Sequence, residues 1–396
     1  MAKWLDKLVP RSAIVVLVLL TAGAVVGFAI VGHLVTRYNA NQQARGRRLY
    51  AQGLADLNSG NADKALEEFR AALTSDPNDS QYQLTLGRAL RDTGRLDEAE
   101  SYLESLWQRA PESGTINLAL ARVAARRGSI VDALRYYHNA IYGIWPSDAE
   151  VNRRKAQIEL IEFLLQKDDL AQARSELVAL AGSLPSDPGL ELRTAELMVQ
   201  AQDYDDALAE YERVLRTDRG NAEALAGAGE TAYRAGRYRT AQHYLQAAVN
   251  ANPKDDNVRD LLVLTNQVSQ TNPFARRISD AERNRRLAAA FDVAGQRLTS
   301  CAQQKGIDLG TVVKPAGSSQ SPPVSPASPL ATLESRWLAT KPDIRRLRYA
   351  EENDLPDVIM DLVFSIEQQT AQDCGEPQGV NRALLLIARN RDTADQ

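Results

Sequence analysis

Residue types that do chemistry are thinly spread in this chain of 396 residues. Its three histidines, His33, His138 and His243, lie far apart, and none has a partner at the spacing of a metal-ligand pair. The sequence contains no CxxC, CxxCH, P-loop, GxGxxG or GxSxG motif. The acidic run Asp203-Tyr204-Asp205-Asp206 has oxygen ligands of the kind calcium takes. It falls between two helical patterns, where solvated acidic residues are ordinary. Arg-Arg pairs at 47–48, 126–127, 276–277 and 345–346 are scattered, and the net charge of −4 argues against nucleic-acid binding. The remaining reactive residues are two cysteines, Cys301 and Cys374, whose available chemistry is a disulfide. Neither catalysis nor a cofactor is expected.

The elements that carry these residues repeat. Ala65, Ala99, Ala133, Ala173, Ala207 and Ala241 follow one another at intervals of 34, 34, 40, 34 and 34 residues. Gly53, Gly87, Ala121 and Gly229 stand twelve residues before their alanines, and Gly60, Gly94, Gly128 and Gly236 stand five before. Phe69, Leu103, Tyr137, Leu177, Tyr211 and Leu245 stand four after, and Pro77, Pro111, Pro185 and Pro253 twelve after. Each position has a physical reason. Small residues let two helices cross closely. The large residue lies on the same helical face as the alanine and fills the hole. Glycine turns the chain between helices, and proline ends the second one.

On these residues the segment 46–254 resembles the tetratricopeptide repeat family, with six helix-turn-helix units. Two departures are visible. About six extra residues follow the third unit near Ile144–Val151, and Asp168 and Gln202 replace the turn glycine in the fourth and fifth units. A bend or loosening of the array is expected there. The resemblance implies a protein-binding α-solenoid whose concave surface is lined mainly by first helices. The ninth position of each unit faces that side: Leu54, Arg88, Arg122, Glu162, Glu196 and Glu230. Arg91 and Arg126 extend the same face. One half of the groove is thus expected to be basic and the other acidic, against the plainer reading of a solvated helix face. Tyr50 and Leu54 stand where a chaperone-tail clamp would have Lys and Asn, so that subclass is not implied. Residues 255–270, with Val258, Leu261, Leu262 and Leu264, fit a capping helix.

Residues 13–35 contain no Asp, Glu, Lys or Arg and are long enough to span a hydrocarbon core of ~30 Å as a helix. Cleavage after Ala22-Gly23-Ala24 is the competing reading, but the apolar run continues well beyond it. An uncleaved anchor is expected, with residues 1–12 as a short cytoplasmic tail. Lys3, Lys7 and Arg11 precede the run and Arg37, Arg45, Arg47 and Arg48 follow it, so basic residues alone do not orient it. The signal-anchor layout places the repeats in the periplasm of a bacterial inner-membrane protein. Gly23 and Gly27 have the spacing that lets membrane helices pack, although glycine is also common in such helices.

Beyond the repeats, Ser279-Asp280-Ala281-Glu282 reads as a capping box followed by a helix through Leu298. Residues 310–330 are a Pro/Ser-rich linker. Leu355, Val358, Ile359, Leu362, Val363 and Ile366 share a helical face, with Asp354 as its expected cap, and Ala383–Ala388 form a last apolar run. Residues 274–396 are therefore expected to form a small helical domain of no recognised family. If it is exported, Cys301 and Cys374 are expected to be bridged; two buried thiols are the alternative. The fold class is all-α. The expected function is a non-enzymatic, membrane-anchored scaffold for other proteins in the cell envelope. A structural subunit of a membrane complex is the alternative, and an enzyme with catalysis in 274–396 is the weakest reading.

Overall fold

The computed structural model describes residues 11–275, 277–307, 328–344, 347 and 354–394. Apart from one isolated bridge, the described residues form helices and their connections. The short tail and nearly all of the Pro/Ser-rich segment lie outside the described residues. The chain divides into two compact units at Asp168, the first position at which the turn glycine is missing.

Unit 1 begins with α1 (Arg11–Asn58), followed by α2 (Ala62–Ser75), α3 (Ser80–Asp92), α4 (Leu96–Trp107), α5 (Gly114–Arg127), α6 (Ile130–Tyr142) and α7 (Ala149–Gln166). The helix α1 is unbroken from the apolar run into the first repeat. Its residues from Val16 onward are long and apolar enough to cross a membrane, by a test that a signal sequence also passes. Residues 16–35 of the apolar run are all exposed; Phe28, for example, is 83% exposed.

Close helix crossing explains the repeat signature. All six period-setting alanines are fully buried. A Cβ on Gly53 would stand 2.6 Å from Phe69, one on Gly87 2.8 Å from Leu103, and one on Gly229 2.7 Å from Leu245. In these three units the large residue four after the alanine thus sits directly on the missing side chain. The turns at Gly60, Gly94, Gly128 and Gly236 all have φ between +71° and +81°. Asp168 and Gln202 adopt the same left-handed conformation at φ 59° and 58°, so the local turn is kept without glycine.

The residues inserted after the third repeat form an anchored connection. Ile144 N–H donates to Glu112 O at 2.8 Å, and Gly114 N–H donates to Ile144 O at 2.9 Å. The Trp145 indole donates to Ala140 O at 2.9 Å. Its ring lies against Gly114, where any Cβ would clash with it.

Unit 2 holds α8 (Leu170–Gly182), α9 (Pro188–Gln200), α10 (Tyr204–Thr217), α11 (Ala222–Arg234), α12 (Tyr238–Ala251) and α13 (Asp256–Thr271). The starts of α9, α11 and α13 are fixed by side-chain caps. Asp187 accepts from Gly189 and Leu190 N–H, Asn221 from Ala224 N–H, and Asp255 from Val258 N–H.

Then come α14 (Asp280–Gln304), α15 (Pro329–Ile344), α16 (Leu355–Cys374) and α17 (Gly379–Ala394). These four helices share one core with Val268 of α13. Ser279 caps α14 by accepting from Glu282 N–H at 3.2 Å, while the Glu282 carboxylate holds Arg286 at 2.7 Å. Asp354 occupies the cap position of α16 but makes no side-chain cap bond. The shared face read for α16 is buried at Ile359, Leu362, Val363 and Ile366, whereas Val358 points outward. Cys301 on α14 is bonded to Cys374 at the end of α16. The Asn390 amide on α17 donates to the Tyr238 hydroxyl on α12, fastening the last helix to the sixth repeat.

Candidate functional site

In unit 1 the first helices of the repeats bring Tyr50, Leu54, Arg88, Arg91, Arg122 and Arg126 onto neighbouring positions. Tyr50 stacks on Tyr82 with 4.8 Å between ring centroids, and its hydroxyl meets Thr85 Oγ1 at 3.0 Å. Gln81 donates to the same hydroxyl at 3.2 Å. Leu54 is 36% exposed.

The arginines differ sharply in how they are satisfied. Arg122 makes a two-pronged ion pair with Glu159 of α7, at 2.6 and 2.7 Å. That hydrogen bonding raises its pKa further. Arg91 pairs with Asp92 at 2.7 Å, and Arg126 donates to Arg91 O at 2.6 Å. Arg88 makes no ion pair among the described residues, and its buried Nε has no hydrogen-bond partner. Burial pulls its pKa down, and the like charges of Arg122 and Arg91 push the same way. Glu162 is exposed on α7; it and Glu159 lie near Tyr137, whose phenol burial pushes up to about 12. The face read from sequence as basic therefore carries the carboxylates Glu159 and Asp92 as well. Glu159 was legible as the residue one turn before Glu162; Asp92 follows its own arginine directly.

In unit 2 the first helices α9 and α11, with α13, enclose a cavity of about 790 Å³. Glu196 and Glu230, both singled out by their repeat position, line it together with Glu223. Glu230 accepts from Arg234 at 2.6 Å and Glu196 from Arg193 at 3.1 Å. The floor includes Tyr211, which is 5% exposed. Gly227 permits this, because any Cβ there would collide with the tyrosine ring. Burial first, then Glu196, Glu230 and Glu223, hold the Tyr211 phenol well above its ordinary range. Sequence reasoning missed Glu223, which precedes Glu230 by two helical turns on the same face. It read Tyr211 only as a packing residue.

Among the described residues no group of three or more His, Cys, Asp or Glu is placed to hold a metal ion. Within each unit, successive helix-turn-helix pairs packed side by side define a helical-repeat protein. More particularly, two segments of the chain match models of the tetratricopeptide repeat. The matched residues are 50–113, 84–149 and 198–263.

Solved structures of similar fold include YrrB, described as a TPR protein with an unusual peptide-binding site. It is 16% identical, covering 48% of this chain and 96% of its own, with a TM-score of 0.37. The type IV pilus biogenesis factor PilW is 17% identical over 55% of this chain and 98% of its own, with a TM-score of 0.38. A repeat protein from Cytophaga hutchinsonii is 12% identical over 60% and 92%, with a TM-score of 0.44.

Proposed function

We propose that this chain is a non-catalytic, membrane-anchored adaptor that docks other proteins on the inner faces of its repeats. Residues 13–35 are the single span, the short tail is cytoplasmic, and the repeats and C-terminal helices lie in the periplasm of a bacterial envelope. There the partners are assembly or secretion factors, and Gly23 and Gly27 offer a packing surface to a neighbouring membrane helix. The charged positions Arg88, Arg91, Arg122 and Arg126 in unit 1, with Glu162, and Glu196 and Glu230 in unit 2, are the docking groups.

One observation carries this reading: Arg88. A half-buried guanidinium without a carboxylate is destabilising in the free chain, because buried charges are normally paired. A partner carboxylate would satisfy it, and Arg122 and Arg91 beside it add attraction. The neighbouring arginines already have protein partners, so Arg88 is the residue whose charge awaits one.

The test is recovery of partners from mild detergent by the intact chain, followed by mass spectrometry. Arg88→Glu should lose partners that wild type keeps, and recovery should fall with salt, because exposed charges are screened within ~10 Å at 0.1 M. Glu104→Lys, on the second-helix side, should recover them normally. Equal recovery by all three proteins would remove the inner face of unit 1 from the account.

A further inference from the structure

We propose that the unit 2 cavity receives a basic side chain of a partner polypeptide, seated between Glu196, Glu223 and Glu230 and over Tyr211. This rests on the reading of the inner faces as docking surfaces and adds the chemistry of the partner for one of them. The cavity is lined by four carboxylates, Glu196, Glu223, Glu230 and Asp255, against one guanidinium, Arg234. Arg234 is engaged with Glu230, and Asp255 is engaged in capping α13. Glu223 makes no ion pair among the described residues and is exposed at the rim. An incoming anion would meet net negative charge, whereas a cation would meet an uncommitted carboxylate.

The floor supplies a second, independent observation. Tyr211 is more than nine-tenths buried, lines the cavity, and its hydroxyl has no hydrogen-bond partner among the described residues. A lysine ammonium or arginine guanidinium donates hydrogen bonds and accepts none, so it can donate to that hydroxyl and to the glutamates together. The aromatic face adds cation–π attraction. Around the tyrosine, Val199, Ala226, Val258 and Leu261 offer apolar surface to the aliphatic stem of the same side chain and to its neighbours. The site thus fits a segment in which Lys or Arg is flanked by aliphatic residues.

The test uses the full chain in detergent, with a library of random displayed peptides as the probe. Three proteins are compared: wild type, the double variant Glu223→Lys/Glu230→Lys, and Arg88→Glu. Thermal melts check that each variant is folded. Peptides kept by wild type and by Arg88→Glu but lost on the double variant should be enriched in Lys or Arg beside aliphatic residues. Their affinity for the double variant should be roughly tenfold lower or worse. Glu223→Gln/Glu230→Gln should give an intermediate loss. If the peptides lost on the double variant are not basic, or if only Arg88→Glu loses peptides, the unit 2 proposal fails while the docking reading survives in unit 1. If neither variant changes the selected set, or if no peptide is retained, both fail.

Discussion

Gln202 and Asp168 hold a backbone conformation that crowds the Cβ of an L-residue, at φ 58° and 59°. The strain is of the order of 1–2 kcal/mol per residue, and glycine would relieve it at an entropic cost of roughly 0.5–1 kcal/mol. Gln202→Gly is therefore expected to stabilise the protein by about 0.5–1 kcal/mol in urea titrations. Gly94→Ala, at φ +81°, should destabilise it by about 1 kcal/mol or more. Sequence reasoning saw that the glycine was missing at these turns and expected looseness. The left-handed turn is kept at both positions, while the chain divides into its two compact units at the first of them. The charges were less legible. Glu159, Asp92 and Glu223 decide which arginines and glutamates are free, and their pairings depend on side-chain reach across helices, which repeat position does not encode.

The elements were legible wherever an apolar period or a cap marked them. Every repeat helix and the apolar face of α16 follow from spacing that hydrophobic burial makes obligatory. What spacing could not show is how α14, α16 and α17 close over buried polar groups. Glu367 on α16 is fully buried, and neither of its oxygens has a hydrogen bond. Arg297 approaches within 3.6 Å, yet its guanidinium donates to Thr370 Oγ1 and Gly375 O instead. Burial therefore outweighs the attraction of Arg297, and the Glu367 carboxyl is pushed up to about 8. In the unfolded chain it titrates near 4.5. Between these values the folded protein keeps a proton that the unfolded chain has lost, so this group makes stability fall as pH rises through the window. Glu367→Gln should flatten that slope and equal or exceed wild type in melting temperature at pH ~7.5. A Gln variant much less stable there would mean that an ionised Glu367 is paired with Arg297. On the same helices, reduction of the Cys301–Cys374 bond, 73 residues apart in sequence, should destabilise this region by about 4 kcal/mol in the chain-entropy model. Unfolding of the soluble part with and without reductant measures it.

At the scale of the whole molecule, the continuity of α1 matters most. Gly46, where α1 packs against the repeats, lies eleven helical steps beyond Val35, a rise of about 16 Å. A rigid helical stem of that length would hold the first repeat close to a membrane surface. If the proposed topology is right, protease added to spheroplasts should digest the repeats; protection until lysis would reverse it, and a mature N-terminus at Val25 would replace the anchor with a cleaved leader. The central claim is narrower: partners dock on first-helix faces. It is tested most directly by placing a photo-crosslinking side chain at Leu54 or Val199 on those faces, or at Val131 or Val178 on second helices, and irradiating cells. The account predicts discrete partner adducts from Leu54 and Val199 that weaken when Arg88→Glu or Glu223→Lys, respectively, is introduced. Adducts from Val131 and Val178, with none from Leu54 or Val199, would contradict it.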